Sequence, residues 1–253
     1  MLCIKNESAL KIMAEGGRLL AYCLELLGES IKPGMSTLEL DKIAYKYIIS
    51  NGAKPSFLGM YGFPNTLCIS VNEQVIHGIP SKKKIIREGD LVSVDGGVFW
   101  KGFHTDMART FIVGEASEEK KLLVERTKQS FFEGLRFARV GYRISDVSHG
   151  IEEYINQFGY GIVRDFTGHG VGRELHESPE IPNFGAAGHG TRIVNGMTIA
   201  IEPMINLGTE KVKVLSDGWT TVTLDGAPSA HYENTVAIID GEPVIITDPN
   251  VRI

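Results

Sequence analysis

Two histidines, His169 and His176, stand seven residues apart in the glycine-rich segment Gly168-His-Gly-Val-Gly-Arg-Glu-Leu-His-Glu-Ser-Pro179. Elsewhere four carboxylates interrupt apolar, β-like runs. Asp95 lies in Leu-Val-Ser-Val-Asp-Gly-Gly, Asp106 in Gly-Phe-His-Thr-Asp-Met-Ala-Arg, Glu202 in Thr-Ile-Ala-Ile-Glu-Pro-Met, and Glu233 in Ala-His-Tyr-Glu-Asn-Thr-Val. A carboxylate in such a run is expected to be buried. A lone ionised carboxylate in that setting is costly or has a shifted pKa, unless a cation or a dense set of hydrogen bonds compensates. Four such carboxylates, with histidines in backbone that permits close approach, point to a metal site.

Each residue also has a plainer explanation. Asp95 or Asp106 alone is a turn or cap residue, His169 alone a loop histidine, and Glu202 or Glu233 alone an edge-strand residue facing water. The combination argues otherwise. Asp95 and Asp106 lie eleven residues apart, on opposite arms of an expected hairpin that brings both toward one point. Four carboxylates and one imidazole suit Mn, Fe, Co or Zn in an open, partly hydrated site, and the lack of thiolates argues against structural zinc. Four negative charges balance two divalent cations. Two metals about 3.5–4 Å apart would share bridging carboxylates and a water of near-neutral pKa, a nucleophile for an acyl centre. The motif H-E-x-x-H is missing, since Glu177-Ser178-Pro179-Glu180 follows His176, and so are G-x-S-x-G and the phosphate-binding loop. On residue types alone, His169 and His176 are not separable in role.

The elements that must position these groups alternate along the chain. A helix is expected from Asn6 or Ser8 to about Gly28. A second follows the capping box Ser36-Thr37-Leu38-Glu39 and stops near Asn51-Gly52. Strands are expected at 67–71, 91–95 and 108–113, the last two joined through a turn-rich stretch around Gly96-Gly97 and Lys101-Gly102. Helices follow from Ser117 to about Ala138 and from Ser145 to about Phe158. Strands return at 161–166, 197–201, 212–215, 219–223, 231–239 and 244–247. Helices, strands, helices, strands describe an α+β fold of two related halves. With no linker or low-complexity segment, residues 1–253 are expected to form one catalytic domain.

Composition narrows the class further. The 253 residues are 43% hydrophobic and 23% charged, with a net charge of −5, an ordinary globular balance. Lys82-Lys83-Lys84 is the one short basic run and reads as a solvated loop, so no nucleic-acid role is expected. Cys3, Cys23 and Cys68 are odd in number and contain no C-x-x-C pair, which disfavours a disulfide framework and suits a reducing cytoplasm. No apolar run approaches the length of a membrane span, and no apolar signal core occupies the first thirty residues.

These segments resemble the type I methionine aminopeptidases of the short, bacterial kind, over nearly the whole chain. The resemblance runs from Lys32-Pro-Gly-Met-Ser-Thr to Ala230-His-Tyr-Glu-Asn-Thr. It is most specific at Val71-Asn-Glu-Gln-Val-Ile-His-Gly-Ile-Pro80, at Gly168 to Pro179 and at Glu202-Pro-Met. It implies a pseudo-twofold pita-bread fold, with an antiparallel sheet covered by helices. It also implies two divalent metals (Co, Mn, Fe or Zn) held by Asp95, Asp106, His169, Glu202 and Glu233. His77 and His176 become non-ligand histidines that position substrate and stabilise the tetrahedral intermediate. Glu202 bridges the metals and handles protons. Phe57, Met60, Phe63, Cys68, Leu175 and Trp219 map onto the methionine pocket, where relatives usually carry a small residue at position 57 and tyrosine at position 60. A monovalent cation near Asn72 and Ser229 is also implied. The implied activity is removal of the initiator methionine from nascent chains when the second residue is small, by a cytoplasmic monomer at the ribosome. A proline-directed peptidase of the same fold and a non-catalytic peptide-binding protein are the alternatives.

Overall fold

The structure is a computed structural model that describes residues 3–253. Helix α1 (Glu7–Ser30) begins where the Asn6 side chain accepts the Ala9 N–H at 2.9 Å. Helix α2 (Thr37–Ser50) begins at the expected capping box: Ser36 Oγ accepts from Glu39 N–H, and the Glu39 carboxylate accepts from Ser36 N–H. Next come strands β1 (Lys54–Pro55), β2 (Leu67–Val71), β3 (Gln74–Ile76), β4 (Leu91–Trp100) and β5 (Phe103–Ile112). Helices α3 (Glu118–Leu135) and α4 (Ile144–Asn156) open the second half. It continues with β6 (Gly161–Ile162), β7 (Gly168–Gly170), β8 (Glu177–Ile181), β9 (Thr198–Ile201) and β10 (Met204–Asn206). The last strands are β11 (Val212–Val214), β12 (Thr221–Thr223), β13 (Ser229–His231), β14 (Glu233–Ile239) and β15 (Glu242–Ile245).

Nine strands form one antiparallel sheet in the order β1-β4-β5-β14-β9-β7-β8, with β2 also on β4 and β15 also on β14. Two three-stranded sheets, β13-β10-β6 and β11-β12-β3, flank it. Leu20, Leu24, Leu40 and Ile48 of α1 and α2 pack on Ile69, Val92, Val94 and Val98. Phe131, Val147 and Ile151 of α3 and α4 pack on Ile199, Ile201, Val236 and Ile238. Each half thus lays two helices over its own strands, the pseudo-twofold α+β arrangement implied by the resemblance.

The hairpin differs from its expected form. Its arms run through Gly96-Gly97 and turn only at Lys101-Gly102, because Leu91 to Trp100 pairs without a break against Ile112 to Phe103. The 231–239 strand is two strands, separated at Tyr232, and the 161–166 strand shrinks to Gly161–Ile162. Strands β7 and β8 lie outside the expected set, since Gly-His-Gly and a proline-containing segment carry no alternating apolar signal.

Helix α1 crosses the C-terminal segment so closely that a Cβ on Gly17 would lie 2.0 Å from the Ile246 carbonyl oxygen. Glycine to alanine within a helix ordinarily stabilises. Here Gly17→Ala should destabilise, by about 1–3 kcal/mol as for overpacking, in a urea unfolding titration.

Candidate metal centre and substrate pocket

The sheet register sets the site. Asp95 on β4 lies opposite Ala108 on β5, and Ala108 lies opposite Glu233 on β14. One step along, Gly97 faces Asp106 across β4 and β5. Thr235 faces Ala200 across β14 and β9, and Ala200 faces His169 on β7. Residues opposite one another, or two apart on a strand, share a face of the sheet. Asp95, Asp106, His169 and Glu233 therefore project from one face in two adjacent rows. Glu202 joins them from just past the end of β9. Glycine or alanine at 97, 108 and 200 leaves room between the functional groups. The first half of the chain contributes the two aspartates, and the second half the histidine and both glutamates.

The groups converge. His169 Nε2 lies 3.5 Å from Glu202 Oε1 and 3.8 Å from Asp106 Oδ2. Donor atoms of Asp106, His169 and Glu233 all fall within 4.8 Å of one another. His169 Nδ1 lies 2.8 Å from the Gly170 carbonyl, so it carries the proton and leaves the Nε2 lone pair facing the carboxylates. Asp95 Oδ1 is buried without a hydrogen-bond partner. Among the described residues, no lysine or arginine forms an ion pair with any of the four carboxylates.

Burial dominates the electrostatics of these groups. Burial raises Asp106 to about 7. Burial first, then neighbouring carboxylates, pushes Asp95, Glu202 and Glu233 well above the usual range. Burial, reinforced by His176, lowers His169 to about 4 and keeps it neutral. Buried carboxylates with an orphaned oxygen and a neutral imidazole are a donor set for a hard or borderline divalent cation.

Backbone contacts hold the two halves together beside these groups. Strands β5 and β14 pair directly only at Ala108–Glu233 and Met107–Asn234. On one side Thr235 Oγ1 accepts from Asp106 N–H and donates to Asp106 C=O, both at 2.9 Å. On the other, Thr110 Oγ1 accepts from His231 N–H at 2.8 Å and donates to His231 C=O at 2.9 Å. The buried Arg109 guanidinium donates to the Glu233 carbonyl at 2.6 Å and to Asn234 Oδ1 at 2.7 Å.

A cavity of about 580 Å³ opens over this floor. Phe57, Phe63, Cys68 and Leu175, with Met60 and Trp219 packed against them, form an apolar cluster at one end. Phe63 meets Trp219 edge-on at 5.1 Å. Burial holds the Cys68 thiol far above its ordinary pKa, and its side chain packs within the apolar cluster. His77 adopts φ +57°, a left-handed conformation uncommon for histidine, and sets its ring edge-on to Phe166 at 5.4 Å. Burial and the nearby His176 lower His77 to about 4. The His176 ring centre lies 4.5 Å from that of His169. Every site residue expected from sequence therefore lines this one cavity, except Asn72 and Ser229. Those two lie together elsewhere: Ser229 N–H donates to the Asn72 carbonyl at 2.9 Å, and the Lys120 ammonium lies 3.3 Å from Asn72 Oδ1. Tyr61, Phe166, Thr167, Glu177 and Glu180 also line the cavity and are missed by sequence reasoning. Of these only Glu177 has a signal, its place beside His176.

The fold and this donor set define a metal-dependent hydrolase. The model of metallopeptidase family M24 matches residues 11–240, and the chain belongs to that family. It is 52% identical over 247 residues to a methionine aminopeptidase of Clostridium perfringens, covering 98% of this chain and 99% of the relative. It is 45% identical to methionine aminopeptidase 1 of Bacillus subtilis, covering 95% and 96%. The solved methionine aminopeptidase of Thermotoga maritima superposes with a TM-score of 0.96 at 41% identity, covering 98% of this chain and all (100%) of that one. The prolidase of Pyrococcus furiosus gives 0.79 at 25% identity, covering 98% of this chain but 66% of the prolidase. Divalent metal binding follows from the family.

Two sets of groups give the metal-free protein opposing pH dependences. Histidines with lowered folded pKa values favour unfolding by protonation below about 6.5. Carboxylates with raised values bind more protons folded than unfolded, so the stability they contribute is lost as pH rises through their folded pKa values. Above about pH 6.5 only the second effect remains. The melting temperature measured in chelator should therefore fall between about pH 6.5 and 8, and saturating divalent metal should abolish that fall. A rise in chelator would contradict the electrostatic description.

Proposed function

We propose that the chain removes N-terminal methionine from polypeptides whose second residue is small. The observation that carries this is an apolar, aromatic- and sulfur-lined chamber opening directly onto the cluster of buried carboxylates and His169. The nearly full-length likeness to methionine aminopeptidases supports it. In this reading Asp95, Asp106, His169, Glu202 and Glu233 hold two divalent ions of Co, Mn, Fe or Zn. Bound there, the ions supply Lewis acidity and lower the pKa of water. The residues do the rest. Phe57, Met60, Phe63, Cys68, Leu175 and Trp219 seat the thioether by burial and sulfur–aromatic contact. Phe57 and Met60 depart together from the usual small residue and tyrosine, so added bulk at one position offsets lost bulk at the other. Glu202 takes the proton of the attacking water and passes it toward the leaving amine. His176 and His77 donate hydrogen bonds to the substrate carbonyl region, where charge develops. Both would be neutral near pH 7, because burial lowers their pKa values, and a neutral imidazole can still donate through one nitrogen.

A proline-directed activity is the weaker reading, since the chain spans 66% of a solved prolidase at 25% identity. A non-catalytic role is weaker still, with all five charged or imidazole groups at one floor. We extend the proposal to a cytoplasmic monomer acting on nascent chains at the ribosome. In support, no helix among the described residues is long and apolar enough to cross a membrane, and the buried Cys23 and Cys68 are unbridged. A monovalent cation beside Asn72 and Ser229 has less support, because the Lys120 ammonium already lies against Asn72 Oδ1.

Hydrolysis of Met-Ala-Ser and Lys-Ala-Ser by metal-loaded protein tests the activity. The first peptide should be cleaved and the second rejected, since burying an unpaired ammonium in the chamber is costly. Comparable rates would refute the pocket assignment. The histidine roles are separable by elemental analysis. His169→Ala should lose metal, whereas His176→Ala should keep it and lose about 10²-fold or more in kcat, as for a lost transition-state donor. Equal metal loss in both variants would reverse the assignment.

A further inference from the structure

The segment before α1 reaches the site from outside the cavity. Lys5 is buried and forms an ion pair with Glu177, its Nζ 2.5 Å from Oε2, with both side chains about as hidden as core residues at 5% and 6% exposure. The two residues are 172 positions apart in sequence. Lys5 is fixed from its own side as well: its N–H donates to the Gly196 carbonyl at 2.8 Å, and its ammonium donates to the Cys3 carbonyl at 2.9 Å. The other Glu177 oxygen, Oε1, accepts from the N–H groups of Arg173 and Glu174 at 2.8 and 3.3 Å. One carboxylate thus closes residues 173–177 into a tight loop, and one ammonium from the segment before α1 neutralises it.

That loop carries Leu175 of the chamber wall and His176. Its root is Gly172, where a Cβ would come within 2.4 Å of Lys5 Cε and 2.6 Å of both Glu177 Oε1 and Lys5 Nζ. The glycine at 172 therefore has a specific cause: the ion pair occupies the space a side chain would need. The Gly172 carbonyl in turn accepts the His104 N–H at 2.7 Å, tying the loop to the start of β5.

We propose that Lys5 is a positioning residue: through Glu177 it fixes the loop that aims His176 and Leu175 into the cavity. Breaking one side of a buried pair leaves the other charge uncompensated, and the loop must move to hydrate it. The consequence for His176 rests on the aminopeptidase reading, so the test also includes a measurement independent of turnover.

The experiment compares metal-loaded wild type, Lys5→Met and Lys5→Met/Glu177→Gln. Metal content, the imidazole NMR signals of His176 and His169, and kcat/KM for Met-Ala-Ser are measured. Lys5→Met should keep its metal and the His169 signal, shift the His176 signal, and lower kcat/KM by roughly 10- to 100-fold, the scale of a small misplacement. The double variant removes the orphaned charge while the introduced amide oxygen still accepts the loop N–H groups, so it should recover part of the loss. A folded Lys5→Met protein with an unmoved His176 signal overturns the proposal, whatever the peptidase result. If Lys5→Met does not fold, the double variant decides. A wild-type His176 signal there, or failure of both variants to fold, would make the pair a folding element only. Absence of Met-Ala-Ser cleavage by wild type would instead overturn the aminopeptidase reading, while the NMR comparison still judges Lys5.

Discussion

The burial of four carboxylates side by side, three on one sheet face and Glu202 just past the end of β9, is the constraint on which the rest of the structure depends. Burial pushes all four toward the protonated form, and neighbouring carboxylates add to the push on Asp95, Glu202 and Glu233. With cations the same crowding becomes affinity, since each carboxylate loses its penalty as it gains a partner. The strands cannot relieve the repulsion by spreading, because Thr235 and Thr110 bracket the β5–β14 seam through paired hydroxyl contacts. Arg109 fixes the Glu233 backbone rather than its carboxylate. This buried cation thus stiffens the floor without occupying the donor atoms.

Above that floor the cavity is divided by chemistry. Part of its lining is apolar, with Phe57, Phe63 and Trp219 packed together. Beside that part stand imidazoles held neutral by burial, His77 edge-on to Trp219. A neutral imidazole can donate a hydrogen bond without adding to the positive charge already expected at the floor. The left-handed backbone of His77 is consistent with a ring placed where regular backbone would not put it.

How much of this was legible in the sequence depended on the range of the interaction. Asn6 and the Ser36–Glu39 capping box are local, and their helices begin where the sequence places them. Asp95, Asp106, Glu202 and Glu233 stood out because a charge in an apolar run conflicts with its surroundings. The hairpin already brought Asp95 and Asp106 toward one point, but their meeting with Glu202 and Glu233 could not be read from spacing, since it depends on cross-strand register between residues as distant as Ala108 and Glu233. The same reason hid β7 and β8, which exist through pairing rather than propensity, and hid Tyr61 at the cavity wall. Lys5 looked like any lysine near a chain start, because its partner lies across most of the sequence. The family resemblance separated His169 from His176; residue chemistry alone did not.

The two halves hold complementary fractions of the floor, with the aspartates on one and the histidine and glutamates on the other. No contiguous half of the chain carries all five groups, so the cluster exists only when the halves have docked. A chain still short of Glu233 during synthesis lacks one of the five groups. An unfinished molecule would therefore carry an incomplete cluster, a safeguard for a protein proposed to work among the unfinished ends of other chains.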